Sequence, residues 1–339
     1  MTDDQGFLEE FERFLIERVA PRAAEMDREP EVLHSIFEEF KQQGGLTIRM
    51  PVDIGGRMLS DRSYAAFRIL LARYGGALSF LQAQHQVAVT WLTRAPSQDD
   101  MGSMYQRVLE DGIALGIGFL SPRHRALEIE HDGAGFTLSG QLPWVTGHGF
   151  LQHVVTSFEH EGKRHFTLLP FRDCTRESGQ LSFSEPVSLI VFNALNTVQA
   201  RLDRWPVPHD QIFLSRPVDA QQEPERHNSV YTLAGACRGL QDLVHQLPHL
   251  PDGMQREYDR LTDGLERYEA AIMVAGGSPS ELRAVAARLA HDWSALARWS
   301  YGGKALLVDH PVNRLARESW QYGVTALRPA DLEAVYPAS

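Results

Sequence analysis

Two changes in the spacing of apolar residues divide the chain into three consecutive parts, and they constrain the fold more than any other feature. In the first part, Phe7, Phe11, Leu15 and Val19 recur at four-residue steps, with charges on the opposite face, as in an amphipathic helix. From about residue 113, short runs such as GFTLSG, HVVTSFE and RHFTLLPF indicate antiparallel strands. The helical period returns after about residue 226. The sequence therefore predicts helices, then strands, then helices.

These changes predict an α+β multidomain protein with an N-terminal α-helical domain at 1–112, a central antiparallel β barrel or sandwich at 113–215 and a C-terminal four-helix bundle at 226–339. A chain of 339 residues, 43% of them hydrophobic, can bury a core without disulfides or a structural metal. Its two cysteines are too far apart in sequence for a CxxC pair. Ser278, followed by Pro279, is typical of a helix start.

The overall charge excludes some classes of partner. The chain carries 33 Lys and Arg against 44 Asp and Glu, a formal charge of -11, which argues against nucleic-acid binding because that affinity depends on basic residues. No apolar run approaches the roughly 18 residues of a membrane helix, and the first residues lack the layout of a secretory signal. No metal-ligand pattern stands out among the histidines. We therefore expect a cytoplasmic protein without a membrane or nucleic-acid partner.

Motifs in the first and last thirds carry a resemblance to a known family. VAPRAAEMDRE at 19–29, GGLTIRMPVDIGG at 44–56 and RWSYGGKALLVDHPVNRLARES at 298–319 resemble signatures of the acyl-CoA dehydrogenase family. The resemblance implies that Gly302 and Gly303 let a neighbouring subunit approach the adenosine and pyrophosphate side of FAD, since glycine permits close backbone contact. It also implies a homodimer or homotetramer assembled through the C-terminal bundles.

The β part contains two further matching stretches, FLSP and LSGQLPWVTGHG, in the order and spacing of the family's flavin-contacting segments. The resemblance implies FAD as the cofactor, with Trp144 packing on the flavin ring and Thr146 hydrogen-bonding its redox-active side. Groups around Leu120 and Ser121 would face the same edge, since a flavin needs fixed donors to stabilise the negative charge that grows on reduction. Alternatively, Trp144 is a core aromatic and Thr146 an ordinary strand residue.

The sequence departs from the family at the catalytic base. In the family a Glu in a Glu-Gly-Thr stretch abstracts the substrate α-proton, and here WQYGVTAL places Tyr322 at that position. A phenol, with an ordinary pKa near 10, is a poor base at neutral pH. The second base position used in the family falls near His227. Tyr322 and His227 are therefore the catalytic candidates, and standard α,β-dehydrogenation is disfavoured.

Two cofactor and substrate elements of the family are also missing. The Gly-x-Gly-Ser-Asp loop that helps to hold the acyl-CoA does not follow Pro122, and HQLPHLPDGMQREYDRL lacks the Arg-x-x-Phe-Gly element that reaches FAD phosphate. In the bundle, Arg314 and Arg317 are interpreted as ion pairs that hold the last helices. His85 is interpreted as a core histidine.

Two functional hypotheses follow. The first is an FAD-dependent oxidoreductase acting on an acyl thioester or a related small organic substrate without the usual Glu, since some branches of the family act as flavin monooxygenases or oxidases. The alternative is a non-catalytic binding or scaffold protein with a degenerate flavin site.

Overall fold

The computed structural model describes residues 4–95, 104, 106–119, 127–176, 178–218, 228–274, 278–325, 327 and 329–335. Three of the predicted site residues, Leu120, Ser121 and His227, lie outside these ranges. The N-terminal helices are α1 Asp4–Phe14, α2 Ala23–Met26, α3 Pro30–Gln42, α4 Asp61–Tyr74 and α5 Gly76–Leu92. A π-helical turn, Leu15–Val19, and a 3-10 turn, Ala20–Arg22, connect α1 with α2.

The N-terminal core is built on the apolar face of α1. Phe7, Phe11 and Phe14 are buried, and the ring of Phe11 packs 4.8 Å from that of Phe67 on α4 and 5.9 Å from that of Phe40 on α3. The helix α5 is apolar on nearly all sides and almost wholly buried. Such a helix needs neighbours all round, so α5 separates the outer helices from the β part.

The central part is a two-sheet sandwich. Its strands are β1 Leu115–Ile117, β2 Glu128–Asp132, β3 Gly135–Val145, β4 His153–His160, β5 Lys163–Pro170, β6 Cys174–Arg176, β7 Gly179–Phe183, β8 Val198–Pro208 and β9 Ile212–Pro217. One sheet has the order β1-β4-β5-β9 and the other β2-β3-β8-β7-β6. Among the strands described, every pair is antiparallel except β1 with β4. Trp91 of α5 stacks on Phe166 of β5 at 4.4 Å, which fastens the sandwich to the helices.

The C-terminal helices are α6 Asn228–His245, α7 Asp252–Met273, α8 Pro279–Tyr301, α9 Pro311–Val324 and α10 Pro329–Val335, with a 3-10 turn at Gly302–Leu306. A close approach joins α6 to α4, because a Cβ on Gly235 would lie 2.4 Å from the carbonyl oxygen of Ile69. The predicted order of helical, β and helical parts is thus confirmed. None of the helices described combines the length and apolar composition that crossing a bilayer demands.

One buried carboxylate joins all three parts. The Oδ1 atom of Asp27 accepts from the backbone N–H of Phe192, in the β part, at 2.7 Å. Its Oδ2 atom accepts from Nη2 of Arg317, on α9, at 2.8 Å. On the same helix Arg314 donates to Glu318 at 2.6 Å. Both arginines therefore form the ion pairs that the sequence predicts, and Arg317 ties the last helices to the first.

Candidate functional site

Trp144 and Thr146 lie where β3 ends. The pairing of β3 with β8 shifts register between Leu142 and Val145, and the Trp144 side chain is 54% exposed there. The hydroxyl of Thr146 lies 3.0 Å from that of Thr197, and either can be the donor. Trp144 is therefore not a core aromatic. The exposed indole offers a planar ligand a packing surface, and the hydroxyl pair that begins two residues later at Thr146 offers it hydrogen-bonding groups.

A glycine holds the chain that follows this pair. Gly147 has a φ of +99°, and its N–H donates to the carbonyl of Leu195 at 2.8 Å. A Cβ at this position would lie 2.5 Å from Cδ1 of Leu151. Only glycine meets both requirements, so Gly147 fixes the backbone direction immediately after Thr146.

The turn is held further by the ring of His148, which packs 5.1 Å from Phe171 and 5.3 Å from Phe183. Burial lowers the pKa of His148 because the charged imidazolium loses hydration. A neutral ring therefore predominates at neutral pH, and His148 acts here as a packing residue.

The paired glycines lie on the C-terminal helices, away from β3 in the chain. Gly302 ends α8 with a φ of +57°, and no atom lies within 4 Å of the place where a Cβ would stand on Gly302 or Gly303. Beside them, Trp299 is 81% exposed and Leu306 is 77% exposed. The structure thus shows an open glycine backbone beside exposed apolar side chains.

Tyr322 lies in the core and not at the surface. Its side chain is 2% exposed, and its hydroxyl donates to the carbonyl of Gly76 at 3.2 Å. Burial raises the pKa of Tyr322 well above its usual value, the nearby Glu318 raises it further, and the charge of Arg68 opposes both. A phenol so placed keeps its proton at neutral pH, which makes it unsuited to act as a base.

His85 is fully buried on α5 and has both ring nitrogens occupied. Nδ1 accepts from the N–H of Leu115 at 3.1 Å, so Nε2 carries the proton and donates to the carbonyl of Leu46 at 2.9 Å. Burial lowers the pKa of His85 to about 4. The interpretation of His85 as a core histidine is confirmed, and it joins α5 to β1.

Sequence reasoning did not find the hydroxyl partner Thr197, the turn residue Gly147 or the three-way role of Asp27. Only Asp27 carried a usable signal, as the acidic residue of the VAPRAAEMDRE motif. A fourth residue, Arg68, lies in the apolar run AAFRILLA of α4, where a lone charge is conspicuous.

Comparison with known proteins identifies the fold and one family domain. The acyl-CoA dehydrogenase N-terminal domain matches residues 2–101. The fold superposes on a glutaryl-CoA dehydrogenase from Mycobacterium smegmatis in complex with FADH2, with a TM-score of 0.80 and 14% identity, covering 99% of this chain and 94% of that chain. The chain therefore has the acyl-CoA dehydrogenase fold, and its first 101 residues carry the match to that family's N-terminal domain. The resemblance that the motifs indicate is therefore confirmed.

Nitrososynthases are also among the similar proteins. The structure of a nitrososynthase from Micromonospora carbonacea var. africana gives a TM-score of 0.78 at 18% identity, covering 99% of this chain and 95% of that chain. The amino sugar nitrososynthase RubN8 of Streptomyces rubradiris is 26% identical over 215 residues, which is 61% of this chain and 51% of the relative. The match thus spans about half the length of that curated relative.

Proposed function

We propose that this acyl-CoA dehydrogenase-like chain is a flavin-dependent oxidoreductase that oxidises an amine nitrogen of a small organic substrate. The observation that carries the proposal is the state of position 322. A buried, protonated tyrosine whose hydroxyl is held by Gly76 replaces the carboxylate that α-proton abstraction needs. Oxidation of an amine nitrogen requires no such carboxylate, and two similar proteins are nitrososynthases, one of them acting on amino sugars.

The groups around Trp144 fit a flavin. Trp144 would lie against the ring system, which its exposed indole can do without rearrangement of the core. Thr146 and Thr197 would direct a hydroxyl proton to the polar edge of the ring, since one of the two remains able to donate outward. A bound flavin, when reduced, supplies the electrons for activating O2. The role of this chain is to orient the ring and to present the substrate to it.

We further propose that the flavin lies between copies of the chain. Gly302 and Gly303 offer open backbone, and the neighbouring side chains of Trp299 and Leu306 are too exposed and too apolar for an isolated surface. Association through this surface would bring a glycine backbone from one copy towards the phosphates of a flavin held by another. The glycines would then complete a site that the single chain lacks.

The first experiment is the visible absorbance spectrum of the purified protein after incubation with FAD and desalting. We expect a retained flavin band for the native chain, and at least a tenfold loss of affinity in Trp144→Ala. The matched control is Trp320→Ala, because Trp320 is 50% exposed and lies on α9. A native chain that never retains FAD or FMN would refute the proposal and favour the non-catalytic scaffold. The missing Arg-x-x-Phe-Gly element would then be consistent with that result.

A second experiment separates the substrate classes. The flavin-loaded protein is supplied with a reductant, O2 and either an amino sugar or an acyl-CoA, and the products are identified by mass spectrometry. We expect oxygen to be added to the nitrogen of the amine and no enoyl product from the thioester. Formation of an enoyl-CoA would show that a base other than Tyr322 operates, and it would overturn the assignment of the reaction.

A further inference from the structure

Arg68, on α4, differs from the other buried arginines of the described chain in having no carboxylate partner. Three arginines are buried there, and Arg68 is the most enclosed at 0% exposure. Arg283 donates to the carboxylate of Asp331 at 3.2 Å, and Arg314 donates to that of Glu318 at 2.6 Å. Within the described residues Arg68 pairs with none. A buried charge is normally paired, so this exception needs an explanation.

The hydrogen bonds of Arg68 occupy one side of its guanidinium. Nη1 donates to the carbonyl of Ser79 at 3.1 Å and to Oε1 of Gln82 at 2.5 Å. Nε and Nη2 make no hydrogen bond in the described structure, and neither does Nε2 of Gln82. The cluster therefore holds several unused N–H donors. Oε2 of Glu318, on α9, also lacks a hydrogen bond, but that carboxylate is paired with Arg314 through Oε1.

The free side of the guanidinium has a specific shape. Nε and Nη2 present two parallel N–H groups, and this edge matches the two oxygens of a carboxylate. Nη1, which is already satisfied, fixes the plane of the group. The edge is thus held in place in advance, as a binding site requires.

The groups facing Arg68 do not neutralise it. Burial lowers the pKa of the Arg68 guanidinium, and the groups that oppose this effect are the phenols of Tyr64 and Tyr322. Burial raises the pKa of both phenols, so neither supplies a negative charge at neutral pH. An arginine stays protonated even here. The two phenols that face Arg68 therefore leave its positive charge uncompensated.

We propose that Arg68 and Gln82 bind the carboxylate group of a small organic ligand in the protein interior. The carboxylate oxygens accept from Nε and Nη2 of Arg68, and Nε2 of Gln82 completes the site. The ligand lies beside Tyr322, which fills the position of the family's catalytic carboxylate. Because Arg68 is completely enclosed, the ligand enters when the surrounding helices open locally. The inference does not depend on flavin binding.

The test measures the thermal unfolding midpoint of the full chain against concentrations of acetate and of succinate, with chloride at matched ionic strength. We expect the midpoint of the native chain to rise with either carboxylate, and the dependence to weaken at least tenfold in Arg68→Met. Arg68→Lys keeps the charge but loses the fork, so its response should be intermediate. Arg18→Met controls for exposed arginines, since Arg18 is 58% exposed and paired with Glu39. An unchanged response in Arg68→Met would overturn the proposal.

A second measurement needs no variant. Acetate labelled with 13C is added to the native chain, and nuclear Overhauser transfer is sought from its methyl group to aromatic tyrosine protons. Transfer to the Tyr64 or Tyr322 ring is expected from an enclosed site beside Arg68. Saturating acetate without transfer to either ring would show that any binding occurs elsewhere.

The ligand-free variants add a third readout. Arg68→Met removes an unpaired charge but also the donor to Ser79 and Gln82, so it should lower the unfolding midpoint only slightly. Arg283→Met strands the buried carboxylate of Asp331 and should lower the midpoint much more. If Arg68→Met is as destabilising as Arg283→Met, the charge of Arg68 is already compensated within the chain and the site does not exist.

Discussion

Replacing Asp27 by asparagine tests whether one carboxylate holds the three parts of the molecule together. Asparagine keeps an oxygen for the N–H of Phe192, which lies 2.7 Å from Oδ1 in the native chain. Its amide nitrogen, however, would face Nη2 of Arg317, which lies 2.8 Å from Oδ2. The change therefore leaves an arginine that is only 14% exposed without its anion.

The expected loss is large because the pair is buried. Breaking a buried ion pair by removing one partner costs about 3–5 kcal/mol, and the low end applies here because Arg317 retains some access to water. A loss of about 3 kcal/mol is a substantial part of the roughly 5–15 kcal/mol that stabilises a folded protein. For 339 residues at about 2.1 cal/mol/K of unfolding entropy each, 1 kcal/mol corresponds to about 1.4 °C, so the midpoint of thermal unfolding should fall by about 4 °C.

The assay is urea and thermal unfolding followed by circular dichroism, with Glu39→Gln as the control. Glu39 pairs with Arg18 at 2.8 Å, but this pair lies at the surface, and its loss should hardly change the free energy of unfolding. Combining Asp27→Asn with Arg317→Met removes both members and should recover part of the loss. If Asp27→Asn unfolds within 1 kcal/mol of the native chain, the junction does not contribute what its geometry indicates.

Three further predictions concern buried groups. Burial raises the pKa of Glu318 to about 7. The free energy of unfolding should therefore fall by roughly 3 kcal/mol as the pH rises from about 4.5 to 7. In urea titrations, Glu318→Gln should flatten that dependence. Gly76→Ala places a Cβ 2.2 Å from Cδ of Glu318, so it should lower the free energy of unfolding by about 1–3 kcal/mol. The control Gly303→Ala, whose Cβ would meet no atom within 4 Å, should leave thermal unfolding almost unchanged. His85→Leu removes the hydrogen-bond partner of the Leu115 N–H and of the Leu46 carbonyl. Urea unfolding should therefore show a free energy of unfolding lower by roughly 2–4 kcal/mol. A smaller decrease would mean that water replaces both hydrogen bonds.

Features that depend on neighbouring residues could be predicted from the sequence. The Ser278 hydroxyl accepts from the N–H of Glu281 and α8 begins at Pro279, as the local motif predicts. The four-residue apolar repeat likewise predicts the buried face of α1. These signals lie within one turn of helix, so no knowledge of the rest of the chain is needed.

Features that depend on distant packing could not be predicted. The parallel pairing of β1 with β4 joins Leu115 to His153, and no periodicity encodes such a partner. The sequence places Tyr322 at the family's catalytic position, but only the packing of α9 against α5 shows that its hydroxyl is buried against Gly76. The exposure of Trp144 follows from the register shift in β3, which composition cannot reveal.

The Asp27 junction also affects the order in which the protein can fold during synthesis. Asp27 and Arg317 are 290 residues apart, and Gly76 and Tyr322 are 246 apart. At about 5–20 residues per second, a ribosome needs roughly 15–60 s to make the segment that separates the first pair. Throughout this interval the emerging N-terminal helices lack the C-terminal residues that cover Asp27 and Gly76 in the folded chain. The nascent chain is therefore a natural client for chaperones until its last helices leave the exit tunnel.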